Sequence, residues 1–94
     1  VRLRAERYDG GTTAEGTVRF DIILLDPPYD TTDLAAIVAA AAPLVTPRGQ
    51  VVLEHSRRRA SPEAARPLRR MRVLTAGDSA LSFYAPESAA AGTG

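Results

Sequence analysis

Residues 20–29 read FDIILLDPPY, and this stretch decides the fold. Ile22, Ile23, Leu24 and Leu25 form an unbroken apolar run, stopped by Asp26, Pro27 and Pro28. A strand that is apolar on both faces belongs inside a parallel sheet with helices on either side. The two prolines end it, because neither can donate a ladder hydrogen bond.

Downstream, Thr31–Val45 patterns as a helix. Thr31, Thr32 and Asp33 are candidate N-caps. Leu34, Ile37, Val38, Ala41 and Val45 form one apolar stripe, and Pro43 is expected to kink or end the helix near Ala42. Pro47-Arg48-Gly49 reads as a turn. Gln50–Leu53 (QVVL) reads as a second buried strand, bounded by Glu54, His55 and Ser56. Strand, helix and strand make a βαβ unit with parallel strands. Ser61-Pro62-Glu63 has the composition of a helix start, and Pro67 limits that helix to a short one. Met71–Thr75 and Ser79–Tyr84 read as a β-hairpin through Gly77-Asp78. In its second strand Leu81 and Phe83 share one face, and Ser82 and Tyr84 share the other.

Upstream, Val1–Ala5 alternates apolar and charged residues like the end of a strand, and residues 9–17 (DGGTTAEGT) read as a loop. Residues 1–19 are expected to hold that strand remnant and loop, 20–85 the sheet, and 86–94 a tail disordered on composition. The expected fold is α/β: the carboxy-terminal half of a doubly wound, Rossmann-like sheet with a terminal antiparallel hairpin. Phe20–Leu25 as outermost strand would leave an apolar edge open to other chains. Val1–Ala5 reads as too short and too charged to cover that edge.

The 94 residues suit one small domain or a piece of a larger one. Twelve basic and eleven acidic residues nearly cancel, which excludes a strongly basic nucleic-acid wrapper. The absence of Cys excludes a disulfide scaffold, a Cys-ligated zinc site and thiol catalysis. With His55 the only histidine, a His-rich metal site is excluded too. No apolar run approaches the roughly 18 residues of a membrane-spanning helix, and no signal peptide opens the chain. A cytoplasmic location and no membrane partner are therefore expected. All twelve basic residues are Arg, which fits a GC-rich coding sequence. A first residue of Val fits an alternative start codon, a processed chain or a fragment.

Asp26-Pro27-Pro28-Tyr29 follows a buried strand directly, at the carboxyl end where open α/β sheets bind ligands. A carboxylate, a stiffened backbone carbonyl and an aromatic ring together suit a planar amine, such as the exocyclic amine of a nucleobase. Asp26 accepts one N–H and the Pro27 carbonyl the other, while Tyr29 stacks on the base. Orientation and electrostatics then favour attack on a methyl sulfonium. The competing reading is a strand-terminating turn with incidental prolines.

The motif resembles the [DN]-P-P-[YF] signature of amino methyltransferases that use S-adenosylmethionine. DNA adenine and cytosine, glutamine and rRNA guanine methyltransferases share versions of it. FDIILLDPPYD, GQVVLEHSRR and GDSALSFY, in that order, resemble the bacterial 16S rRNA guanine-N2 methyltransferase family over roughly residues 18–84. The resemblance implies the class I S-adenosylmethionine-dependent methyltransferase fold. It further implies S-adenosylmethionine as cofactor and 16S rRNA or the small ribosomal subunit as partner. It assigns catalysis to Asp26, Pro27, Pro28 and Tyr29, with Asp26 also facing the cofactor. The family's glycine-rich cofactor loop is not found in this sequence, so a fragment is expected. An acid at Glu6 or Asp9 is a weak match for the family's adenine-side position.

Other residues carry two readings each. Tyr29, Glu54, His55, Arg57 and Arg58 are candidates for substrate binding. His55 reads as a general base or as a strand-end cap, and Glu54 as a ligand or as a structural hydrogen-bonding group. Arg57–Arg59 read as an rRNA phosphate contact or as a solvated charge run, and Gly77-Asp78 as a plain turn. No metal is expected, because an organic sulfonium supplies the electrophile. Two alternatives to the enzyme remain at this stage: a non-catalytic remnant with an RNA- or partner-binding surface, and a DNA amino-methyltransferase.

Overall fold

The computed structural model describes residues 2–6 as backbone and residues 18–87 in full. Its elements run β1 (Arg2–Glu6), β2 (Phe20–Asp26), α1 (Leu34–Ala40), β3 (Val45–Ser56), β4 (Ala64–Ala65), β5 (Leu68–Ala76) and β6 (Ser79–Pro86). Among the described residues these strands form one mixed sheet in the order β1-β2-β3-β6-β5-β4. The 9–17 loop and residues 88–94 of the tail lie outside the described residues.

The βαβ unit is present, with β2 and β3 parallel and Ile23 beside Val51 and Leu25 beside Leu53. α1 is shorter than its apolar stripe. Asp33 is the cap selected from the three candidates, its Oδ1 accepting from Ala36 N at 3.0 Å. The helix stops at Ala40, and a 3-10 turn over Ala42–Leu44, with Pro43 near its start, carries the chain into β3. Leu34, Val38, Ala41 and Val45 are buried, so the stripe is kept although its last residue has become strand. They pack with Ile23, Leu25, Val51, Leu53 and Tyr84 in one core on one face of the sheet.

The Pro47-Arg48-Gly49 turn becomes an excursion inside β3. Phe20 pairs with Val45 and Ile22 with Gln50, so the register jumps between them. Thr46 Oγ1 donates to Asp21 Oδ1 at 2.7 Å across this step.

Three expectations are corrected. Arg2–Glu6 does fill the edge beside β2: it pairs antiparallel from Arg2 opposite Asp26 to Glu6 opposite Ile22. Backbone pairing needs only the ladder groups, and charged residues on an edge strand discourage further pairing. Ser61-Pro62-Glu63 starts no helix. Ser61 is buried and turned toward Ser82 instead of capping, and Ala64–Ala65 pair with Leu68 and Arg69. The few residues before Pro67 are too short to nucleate a helix against that pairing. Finally, α1 covers only one face of β2. On the other face Ile22 and Leu81 remain exposed, and Arg72 lies over the Phe83 ring at 4.8 Å.

The hairpin forms with longer strands than the sequence suggests. Gly77 has φ +58° and no other residue of the turn has a positive φ, the pattern of a II′ turn, which matches strand twist. Pairing of β6 with β3 sets Tyr84 opposite Val51, Ser82 opposite Leu53 and Ser79 opposite Ser56. Ala80, Ser82 and Tyr84 face the core.

Candidate active site

A cleft of about 750 Å³ opens where β2 and β3 end and β6 begins. Its size lies within the range of small-molecule sites. Asp26, Pro27, Pro28 and Tyr29 form one wall, and Glu54, His55 and Arg58 line it from the end of β3. Seven of the eight residues singled out from the sequence therefore meet at one place. The eighth, Arg57, points elsewhere: its Nη1 donates to the Gly77 carbonyl at 3.1 Å.

The segment after β2 is folded on itself. Thr31 N donates to the Pro28 carbonyl at 3.0 Å, closing a turn around Tyr29 and Asp30. Tyr29 is 87% exposed, which leaves its ring open to a planar ligand. Asp26 is half-buried at the strand end.

His55 is half-buried, and both ring nitrogens are engaged within the chain. Nε2 lies 2.7 Å from Ser82 Oγ. Nδ1 lies 2.9 Å from the Ser56 carbonyl and 3.0 Å from the Arg59 carbonyl. This geometry corresponds to the strand-end reading of His55, with the ring tying the end of β3 to the loop after it.

The cleft also holds residues that sequence reading passed over. Asp78 and Ser79 line it, although Gly77-Asp78 reads as a plain turn. Pairing of β3 with β6 delivers them, and Arg57 N donates to the Asp78 carbonyl at 3.0 Å. No local signal marks them; only the strand order does. Leu34 and Ser56 complete the lining, and Arg59 reaches it from the loop after β3. Among the described residues no three acidic or histidine side chains gather as a metal-sized cluster, and no helix is long and apolar enough to cross a membrane.

The lining offers acceptors to an amine, which donates: carboxylates at Asp26 and Glu54 and the backbone carbonyl of Pro27, beside an open aromatic ring. Toward S-adenosylmethionine the fit is partial. Asp26 is the residue expected to face it, and among the described residues no glycine-rich loop lines the cleft.

Among solved structures the chain is similar to a conserved hypothetical protein of Streptococcus pyogenes, with 29% identity and a TM-score of 0.65. The match covers 74% of this chain and 45% of that one, so the chain spans less than half of that relative's length. No curated protein matches the chain. The family model described as Conserved hypothetical protein 95 matches residues 3–85, and the chain belongs to that family, whose fold is methyltransferase-like.

Proposed function

We propose that the cleft holds the exocyclic N2 amine of a guanine in 16S rRNA for methylation, with S-adenosylmethionine as methyl donor. The observation that carries this reading is the convergence of Asp26, Pro27 and Tyr29 on one cleft at the carboxyl ends of parallel strands.

In this reading Asp26 accepts one N–H of the amine and the Pro27 carbonyl accepts the other. The Pro28 carbonyl is already taken by Thr31 N–H, which gives the second acceptor role to Pro27. Neither proline has an N–H to compete for the ligand. The two acceptors orient the amine and enrich its nitrogen as it attacks. S-adenosylmethionine, when bound, supplies an electrophilic methyl group. With the methyl donor bound, the new nitrogen–carbon bond would form as the donor's sulfur–carbon bond breaks, and the amine proton would leave as or after the nitrogen is alkylated. That order removes the need for a strong base, in keeping with the engaged ring of His55. Tyr29 stacks on the base, which must be unpaired or flipped to reach the cleft. Arg58, exposed at the rim, contacts backbone phosphate. The cytoplasm, where small ribosomal subunits are found, is the corresponding location.

The test is transfer of labelled methyl groups to 16S rRNA and to small-subunit particles, with the modified nucleoside identified after digestion. N2-methylguanosine is the expected product. Label on adenine, on cytosine or on protein would overturn the substrate assignment. Guanosine binding without transfer would leave a base-holding module and remove the enzymatic reading for this chain.

A further inference from the structure

Arg59 departs from the charge run it belongs to. Its Nη1 donates to the Thr31 carbonyl and its Nη2 to the Thr32 carbonyl, the latter at 2.8 Å. Thr31 and Thr32 lie between Tyr29 and the helix cap Asp33. The fork therefore grips the segment from Asp26 to Asp33 near its carboxy-terminal end. On one side that segment is closed by the Thr31 N–Pro28 O bond, and on the other by the Asp33 cap.

The backbone of Arg59 is itself held. Its N–H donates to the Ser56 carbonyl at 3.0 Å, and its carbonyl lies 3.0 Å from His55 Nδ1. Both neighbours of Nδ1 are carbonyls, which only accept, so Nδ1 carries the proton. With Nε2 unprotonated, it accepts from the Ser82 hydroxyl. Ser82 Oγ accepts from the Ser61 hydroxyl at 2.6 Å, and Ser61 Oγ accepts from Arg70 Nη1 at 3.0 Å. Each of the two serine hydroxyls in this chain donates to one acceptor, and the bonds all point the same way. Such a satisfied, partly buried network is rigid.

We infer that Arg59 is a positioning residue for the Asp26–Tyr29 segment: aimed by the Arg70–Ser61–Ser82–His55 chain, its guanidinium clamps the Thr31 and Thr32 carbonyls and fixes where Pro27 and Tyr29 stand. This rests on the proposed function for its catalytic consequence, though the clamp itself does not. A planar fork spans two adjacent carbonyls; a lysine ammonium is a single point of charge on a flexible stem. The Asp26 carboxylate, the Pro27 carbonyl and the open Tyr29 ring need such a brace, because a misplacement of about 1 Å can cost about a hundredfold in rate.

The test compares the chain with its Arg59→Gln and Arg59→Lys variants. The first readout is NMR of the backbone carbonyls of residues 28–33 and of the Tyr29 ring. Arg59→Gln should shift these signals and leave those of β5 and β6 in place, with Arg59→Lys in between. The second readout is methyl transfer to 16S rRNA: kcat should fall by about 10- to 100-fold, with partial rescue in Arg59→Lys and an rRNA KM changed by no more than about twofold. Unshifted signals over residues 28–33 would overturn the clamp. So would a rate loss that lies wholly in the rRNA KM and fades with salt, the mark of a phosphate contact. If the wild-type chain transfers no methyl group, the proposed reaction fails while the NMR arm still decides the clamp. Should Arg59→Gln not fold, the Arg59→Lys comparison alone supports or refutes the fork.

Discussion

The Tyr84 hydroxyl donates to the Pro62 carbonyl at 2.6 Å, tying the buried Tyr84 of strand β6 to the segment that leads into β4. The ring lies wholly inside the core. Burial raises the tyrosine above its ordinary value of 10.0, against smaller opposing effects from the Ser61 hydroxyl and the Arg70 charge. The folded chain thus holds this proton longer than the unfolded chain does. Its contribution to stability is complete below the ordinary tyrosine value and is lost as pH rises from there through the raised folded value. Urea unfolding from about pH 7 to about pH 11 should show that alkaline decline. Tyr84→Phe should cost about 1–2 kcal/mol at neutral pH by leaving the Pro62 carbonyl unpaired, and it should flatten the alkaline limb. An unchanged alkaline slope in Tyr84→Phe would place the cause in another group.

Gly49 is the tight point of the β3 excursion. A Cβ there would lie 2.7 Å from Val45 Cγ2 and 2.8 Å from the Asp21 carbonyl oxygen. The second contact is backbone of the neighbouring strand and cannot rotate away. Gly49→Ala should therefore destabilise by about 1–3 kcal/mol through overpacking, measured by thermal or urea unfolding. A variant as stable as wild type would show that the β2–β3 register can relax at this step.

How much of this was legible depends on whether the determining residues are contiguous. Asp26-Pro27-Pro28-Tyr29 is four consecutive residues after an apolar run, so both its place at a strand end and its chemistry can be read directly. The β2–α1–β3 unit is legible for the same reason, since local periodicity and caps mark it. The failures come where distant pairing outweighs local composition. Ser61-Pro62-Glu63 has the composition of a helix start, but Ser61 is taken by Ser82, twenty-one residues on. Val1–Ala5 looks too charged for a strand partner, yet Arg2–Glu6 pairs along β2. Asp78 and Ser79 enter the cleft only because β6 pairs with β3. In Arg57–Arg59 three identical letters have three different surroundings. Arg57 bonds a turn carbonyl, Arg58 stays at the rim, and Arg59 crosses to the loop after β2.

Asp26 should separate chemistry from folding. Asp26→Ala removes the proposed acceptor for the guanine amine and should lower methyl transfer by at least about 100-fold. Circular dichroism of the variant should keep the mixed α/β signal, because the strand ladder of β2 uses backbone groups. Turnover at the wild-type rate would refute the role given to this carboxylate. Asp26→Asn is the finer test: it keeps a carbonyl oxygen that can accept but loses the charge. A rate between those of wild type and Asp26→Ala would show that hydrogen bonding and charge both contribute.

Tyr29 should act on the acceptor alone. Its ring is almost entirely in solvent, so Tyr29→Ala forfeits little packing and should leave the unfolding midpoint nearly unchanged. Stacking of one base on an aromatic ring is worth about 1–3 kcal/mol. The KM for rRNA should therefore rise by roughly one to two orders of magnitude, while affinity for S-adenosylhomocysteine, read by calorimetric titration, stays the same. Tyr29→Phe keeps the ring face and loses only the hydroxyl, so it should restore most of the lost affinity. Failure of Tyr29→Phe to rescue would move the contribution from the ring to the hydroxyl, and the ligand would then be gripped at its edge and not by its face.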